Sequence, residues 1–327
     1  MKSNMMWVLD RRRFFALAAA GLARAEDEVT RPSISEDACP LERFAPVASD
    51  CNRGLVFLRK PPGGGPFPLI LIIHGGLTTW PEEDLKAYSL DGATPSRFLA
   101  AGYSVAPITY RSRDIDPQSK VSLQDCIAAI DYLRRLPFAD PTSIVAYGCS
   151  GGGDLALEIA AATDVSAIVT EEPASFIFAG IFNATFPKKG ERYTPQDSGP
   201  IGDDPKRFYT PEYQKLTRAK IAGIRCPILI LQGDKSQGPG AGPSPVVPFN
   251  NQVLIPELRA AGKTVELISY PGEPHCFCFY GSGVRSPRPA AALKAFHDID
   301  AFCRGNVSVK PKPIDPSVVK TVSLMSR

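Results

Sequence analysis

The chain has 327 residues, 44% of them hydrophobic, with a mean hydropathy of −0.07. That is the profile of an ordinary globular protein with a sizeable core, and large α/β folds commonly use this length for one domain. The net charge of +3 comes from residues 1–25, where Lys2, Arg11, Arg12, Arg13 and Arg24 outnumber Asp10 by four; the remainder carries −1, so nothing points to nucleic acid or an anionic membrane as partner.

The first 25 residues read as an export signal. Asp10-Arg11-Arg12-Arg13-Phe14-Phe15 resembles a twin-arginine signal, Phe14 to Leu22 is apolar but too short to span a bilayer, and Ala23-Arg24-Ala25 is a small-x-small cleavage site. An exported, periplasmic or extracellular protein is expected. Residues 26–53 form a polar, Pro-containing N-terminal extension. Eight cysteines permit disulfides in such a compartment, and Cys39 and Cys51 are the preferred pair; Cys126, Cys149 and Cys226 read as buried free thiols.

From residue 54, strand and helix patterns alternate. Leu55–Leu58 is a strand, 61–66 a Pro/Gly turn, and Leu69–Ile73 a continuous apolar strand of the kind buried on both faces. Tyr103–Ile108 is another strand, with Pro107 better tolerated near an edge or bulge. Ser122–Leu136 is the clearest helix, with Leu123, Ile127, Ile130 and Leu133 on one face and Pro137 as its stop. Strands follow at Ser143–Ala146, Val165–Thr170, Pro227–Leu231 and Val265–Tyr270. Leu254–Ala261 is helical with a kink at Pro256, and Leu293, Phe296, Ile299 and Phe302 mark a closing helix. The alternation predicts an α/β fold with a mostly parallel central sheet and helices on both faces. Residues 173–225 break the rhythm and are expected to form a small cap over the sheet; 237–245 are a Gly/Pro-rich insertion, and 305–327 read as a loose C-terminal tail.

The chemistry centres on Gly148-Cys149-Ser150-Gly151-Gly152. A strand leads in and a helix leads out, the context that a G-x-S-x-G nucleophile elbow requires. Glycines at 148 and 152 permit the strained turn that exposes the Ser150 hydroxyl. A serine nucleophile needs a base, and the chain offers three histidines. His74 is tied to the turn His74-Gly75-Gly76, His297 lies in the closing helix, and His275 follows the last strand; His275 is the expected base. Gly75 and Gly76, with the Gly151 N–H, are expected to form an oxyanion hole, each donor typically worth about 3 kcal/mol in the transition state. No metal is expected at His275-Cys276-Phe277-Cys278, which has no second ligand pair at zinc spacing, and no cofactor is implied.

Taken together, His74-Gly75-Gly76, Tyr110-Arg111, Asp125, Gly148 to Gly152, Leu231-Gln232-Gly233-Asp234 and Pro271 to His275 resemble the α/β-hydrolases across residues 54–304. The resemblance is to the branch holding the prolyl-oligopeptidase catalytic domain, dienelactone hydrolase and acetyl-esterase-like enzymes. It implies an α/β-hydrolase fold and a catalytic acid in H-G-x-x-D after the penultimate strand. Here that position is Ser236. Three possibilities stay open: Asp234, the nearest carboxylate and the first choice; Glu171 or Glu172 after the preceding strand, an acid position that some α/β-hydrolases use; or no acid. An Arg111–Asp125 ion pair is expected to tie a loop to its helix, so that exchanging the two charges should restore stability.

These readings converge on a secreted serine hydrolase, a carboxylesterase acting on a small ester through an acyl-enzyme. The nearest alternative is a serine peptidase acting on short peptides. Gated oligopeptidases carry a β-propeller, and only about 28 residues stand between signal and fold here, which favours the esterase. Phe176, Phe178 and Phe182 are candidate walls of the acyl pocket. A third reading, a non-catalytic binding protein, rests only on the displaced acid.

Overall fold

The computed structural model describes residues 30–181, 199–235, 246–279 and 289–323. The expected export signal, Phe182, the rest of 182–198 and the Gly/Pro-rich insertion lie outside the described residues.

Eight strands form one sheet. They are β2 (Glu42–Phe44), β3 (Leu55–Leu58), β4 (Phe67–Ile73), β5 (Ser104–Thr109), β6 (Ala139–Cys149), β7 (Ala167–Glu171), β8 (Ile228–Lys235) and β9 (Val265–Pro274), in the spatial order β2-β3-β5-β4-β6-β7-β8-β9. Only β3 is reversed, antiparallel to both its neighbours β2 and β5; from β5 to β9 every neighbour is parallel. Side chains of period two therefore feed two cores. Leu69, Leu71 and Ile73 pack on one face with Ala146, Ile168 and Ile230. Ile70, Ile72, Val145, Val169 and Leu229 pack on the other. Covering both faces explains why β4 is apolar without alternation.

The helices α1 (Glu82–Asp91), α2 (Ala93–Ala100), α3 (Val121–Leu133) and α4 (Gly151–Ala162) connect the first strands. Residues of the expected cap supply α5 (Ser175–Phe178), α6 (Gly199–Asp203), α7 (Pro205–Phe208) and α8 (Pro211–Gly223). Phe176, Ile177 and Ile201 from this region form a separate cluster with Leu77, Phe249 and Val253 at the carboxyl edge of the sheet. Phe178 instead joins the main core. After β8 come α9 (Val246–Phe249), a π-turn at Asn250–Leu254 and α10 (Ile255–Ala260); after β9, α11 (Pro289–Asn306) closes the fold. Pro256 cannot donate a backbone hydrogen bond, and the helix widens just before it, the Ile255 N–H reaching back to Asn250 O.

Three sequence expectations change. Pro107 lies in an interior strand, not near an edge, and its missing N–H falls in a gap of the β3–β5 ladder between Val56↔Ile108 and the Arg59↔Val105 bridge. The described part of the expected tail, 305–323, is not loose: β10 (Val319–Ser323) pairs antiparallel with β1 (Thr30–Ile34), Val307 and Ile314 are buried, and Ser143 Oγ accepts from the N–H groups of Ser308 and Val309. Short polar-flanked strands such as β1 and β10 lack the apolar run that marks the inner ones. Cys39 and Cys51 are both free, Cys39 buried and Cys51 exposed, so the preferred disulfide is not formed; Cys39 instead sits beside Arg59, whose Nε donates to its carbonyl.

The Arg111–Asp125 pair is present. Arg111 Nη2 stands 2.8 Å from Asp125 Oδ1, and the Arg111 backbone N–H donates to Oδ2 at 2.8 Å. Arg111 also reaches Asp50 on its exposed side. Because Asp125 holds a backbone group as well as a charge, a charge exchange cannot restore it. Asp125→Asn is expected to cost about 2–3 kcal/mol in denaturant unfolding, Asp50→Asn to leave the melting temperature nearly unchanged, and the exchanged double variant to remain as unstable as its weaker parent.

Candidate active site

Parallel strands put their carboxyl ends at one edge of the sheet, and that edge carries the chemistry-bearing residues. Ser150 follows β6, Glu172 follows β7 and His275 follows β9.

Ser150 has φ 50° and ψ −117°, a conformation costly for a residue with a Cβ. The strain sits on the serine itself. The glycines around it serve close approach: a Cβ on Gly152 would stand 2.3 Å from the carbonyl oxygens of Ile73 and His74, and one on Gly151 2.2 Å from Gly76 O. The elbow is thereby pressed against the end of β4. The turn is held from β7, whose Glu171 carbonyl accepts the Ser150 N–H at 2.9 Å, and from beyond it, where the Ala174 N–H donates to Ser150 O at 3.0 Å.

His275 Nδ1 makes a short hydrogen bond to Glu172 Oε2, and both groups are buried. The other carboxylate oxygen accepts the Gly233 N–H at 2.8 Å. Glu172 has φ 45°, a left-handed turn off the end of β7 that aims its side chain along the sheet edge, and its N–H is fixed on Leu231 O. The carboxylate on His275 Nδ1 is thus Glu172, one of the alternatives that the sequence left open beside the first choice Asp234. The end of β8 contributes its Gly233 amide to Glu172. The Asp234 side chain lies outside the described residues. Two adjacent acids at a strand terminus were the available signal: alternation sends one to each face of the sheet.

Glu171 goes to the other face. It accepts the N–H groups of Cys278 at 2.8 Å and Phe279 at 2.7 Å, and the Tyr147 hydroxyl at 3.3 Å, clamping the segment just after His275. Burial pushes this carboxyl up to about 8, with the charge of Glu172 adding to the rise and the three donors opposing it. Between the two loops, the Cys276 thiol donates to Glu171 O, and burial raises it, with the neighbouring Cys149 thiol adding to the rise.

His74 is not a base. It is sandwiched between Trp80, 4.4 Å away at 9°, and Tyr110, 4.3 Å away at 12°, and burial lowers it to about 4, so it stays neutral. Its ring instead orients the backbone. His74 Nδ1 donates to Gly75 O at 2.9 Å, and the Tyr110 hydroxyl donates to His74 O and Gly76 O at 3.0 and 2.8 Å. In a trans peptide the N–H points opposite its carbonyl. Holding His74 O and Gly75 O therefore directs the N–H groups of Gly75 and Gly76, as the contacts on Ser150 O direct that of Gly151. His297 is exposed on α11.

A family model described as BD-FAE matches residues 49–181, from the extension through the elbow. Among solved structures, carboxyl esterase 2 of Tuber melanosporum is 18% identical, covering 90% of this chain and 97% of its own, with a TM-score of 0.57. The chain has the α/β-hydrolase fold. Two peptidases share it: a puromycin-hydrolysing peptidase of Mycobacterium tuberculosis (19% identity, TM-score 0.60) and the acylaminoacyl peptidase of Pyrococcus horikoshii (18%, 0.58). They align with 90% and 86% of this chain but only 42% and 44% of their own lengths. This hydrolase fold places the elbow after β6, as in the sequence expectation, and the carboxylate one strand earlier than H-G-x-x-D implies.

A raised acid binds its proton more tightly in the folded than in the unfolded chain, so its contribution is complete below about 4.5 and is lost as pH rises through about 8. The melting temperature is expected to fall over that window, and Glu171→Gln to flatten the fall in calorimetry at pH 5, 6.5 and 8.

Proposed function

We propose that the protein is a serine hydrolase that cleaves small carboxylic esters through an acyl-enzyme on Ser150. The observation that carries this reading is the hydrogen bond between His275 and Glu172 at the same sheet edge as the strained Ser150. The carboxylate fixes the tautomer with the proton on Nδ1, leaving Nε2 as the base that takes the Ser150 proton while Oγ attacks the carbonyl carbon. The negative oxygen of the tetrahedral intermediate is received by the N–H groups of Gly75, Gly76 and Gly151. His275 then protonates the leaving alcohol, and water repeats the sequence to release the acid. Burial of both His275 and Glu172 keeps the charge interaction out of water, where it is strongest.

The likeness to esterase and peptidase structures supports a hydrolase of ester or amide bonds, and the ester is favoured by the esterase that aligns over 97% of its own length. The binding-protein reading loses its support once Glu172 takes the place of the displaced acid. Nucleic acid has no evident footing, and among the described residues no helix is long and apolar enough to cross a membrane. Export follows from the arginines and apolar run of residues 11–22; terminal sequencing of the mature protein is expected to begin at Glu26.

A fluorophosphonate probe is expected to label the native protein and not Ser150→Ala. Glu172→Gln is expected to lower kcat on p-nitrophenyl acetate on the order of ten thousand-fold, whereas Asp234→Asn leaves it within a few-fold of native. Equal losses in the two acid variants would return Asp234 to the site. A parallel panel of short-peptide anilides distinguishes the peptidase, which would cleave them faster than the esters.

A further inference from the structure

The oxyanion donors come from two separate segments, the loop 74–77 after β4 and the elbow at 150–151. Their useful geometry depends on the distance between them, since a donor must lie within about 3 Å of the developing charge. One buried residue touches both. Arg113, 3% exposed, lies in the loop after β5. Its backbone N–H donates to Leu77 O at 2.8 Å, next to Gly76. Its guanidinium Nη2 donates to Gly151 O at 2.8 Å and stands 2.6 Å from Asp154 Oδ2 in the first turn of α4, while Nη1 reaches Pro117 O at 3.3 Å.

We propose that Arg113 is a positioning residue for the hydrolytic reaction, bracing the loop 74–77 against the nucleophile elbow so that the two sets of N–H donors keep their spacing; this rests on the serine-hydrolase reading above. An ion pair that served stability alone would need only Asp154. The contact to Gly151 O adds nothing to that pairing but fixes the peptide that follows the donor residue, at the place where Gly76 O already excludes a Cβ. The guanidinium spreads its donors over two nitrogens, Nη2 toward Gly151 O and Asp154 and Nη1 toward Pro117 O, an arrangement the single ammonium of lysine reproduces less well. Arg113 touches no reacting atom, so its loss should weaken binding of the transition state and spare that of the ground state.

Two variants test this. Arg113→Lys keeps a cation beside the buried Asp154 and is the one expected to fold. The double variant Arg113→Met/Asp154→Asn removes the charge pair as a unit, avoiding an unpaired buried carboxylate. Both are measured with p-nitrophenyl acetate and a trifluoromethyl ketone, which forms a tetrahedral adduct with an active serine. The expected result is a kcat lowered about ten- to a hundredfold with KM within twofold, and a matching loss of trifluoromethyl ketone affinity, in protein whose circular dichroism is native. Native kcat and ketone affinity in folded Arg113→Lys and in the folded double variant would overturn the proposal. So would native values in Arg113→Lys if the double variant does not fold. A rise in KM alone would likewise overturn it. Failure of the underlying reading looks different: native protein would then neither react with a fluorophosphonate nor hydrolyse the ester.

Discussion

The edge of this sheet is organised around one carboxylate. Glu172 is fully buried, with one oxygen on the amide of Gly233 and the other on the imidazole of His275. A buried carboxylate is costly unless each oxygen finds a donor, and here the donors come from β8 and from the loop after β9. The group therefore joins three consecutive strand ends, and the left-handed turn that presents it is the same device, one strand over, as the turn that presents Ser150. Two strained residues stand side by side on neighbouring strands, Ser150 held by its N–H on Glu171 O of β7 and Glu172 by its N–H on Leu231 O of β8. Strain of this kind persists where the surroundings leave no alternative.

The backbone of the site is oriented by side chains that hydrogen-bond its carbonyls. The stack Trp80–His74–Tyr110 fixes the peptide planes of the glycine loop, and His74 Nδ1 and the Tyr110 hydroxyl are spent on its carbonyls, so the amides face the other way. Glu171, immediately before the functional acid, works on the opposite face by holding the amides of Cys278 and Phe279. Alternation along β7 divides two chemically identical neighbours between two tasks.

Much of this was legible in the residues. The elbow turn, the glycine loop, the place of His275 after the last strand and the central strands follow from apolar runs, glycine positions and the small number of histidines, because those signals are local. The acid was not legible to the same degree. Asp234 follows the expected strand, and only the three-dimensional neighbourhood of His275 distinguishes it from Glu172. The same holds for Arg113, whose contacts span 36 to 41 positions in sequence, and for β1 and β10, whose pairing joins residues nearly three hundred positions apart. Local pattern reports burial and period; it does not report which distant partner completes a polar group.

The pairing of β1 with β10 sets Thr30 directly opposite Ser323. The described chain is thus close to a closed ring, begun and finished on the two strands of one small ribbon, well away in sequence from the catalytic loops. New ends opened at an exposed loop, with a short bridge across the old ones, would keep every strand in place. By the same geometry, the residues before Thr30 and those after Ser323 leave the ribbon from neighbouring points.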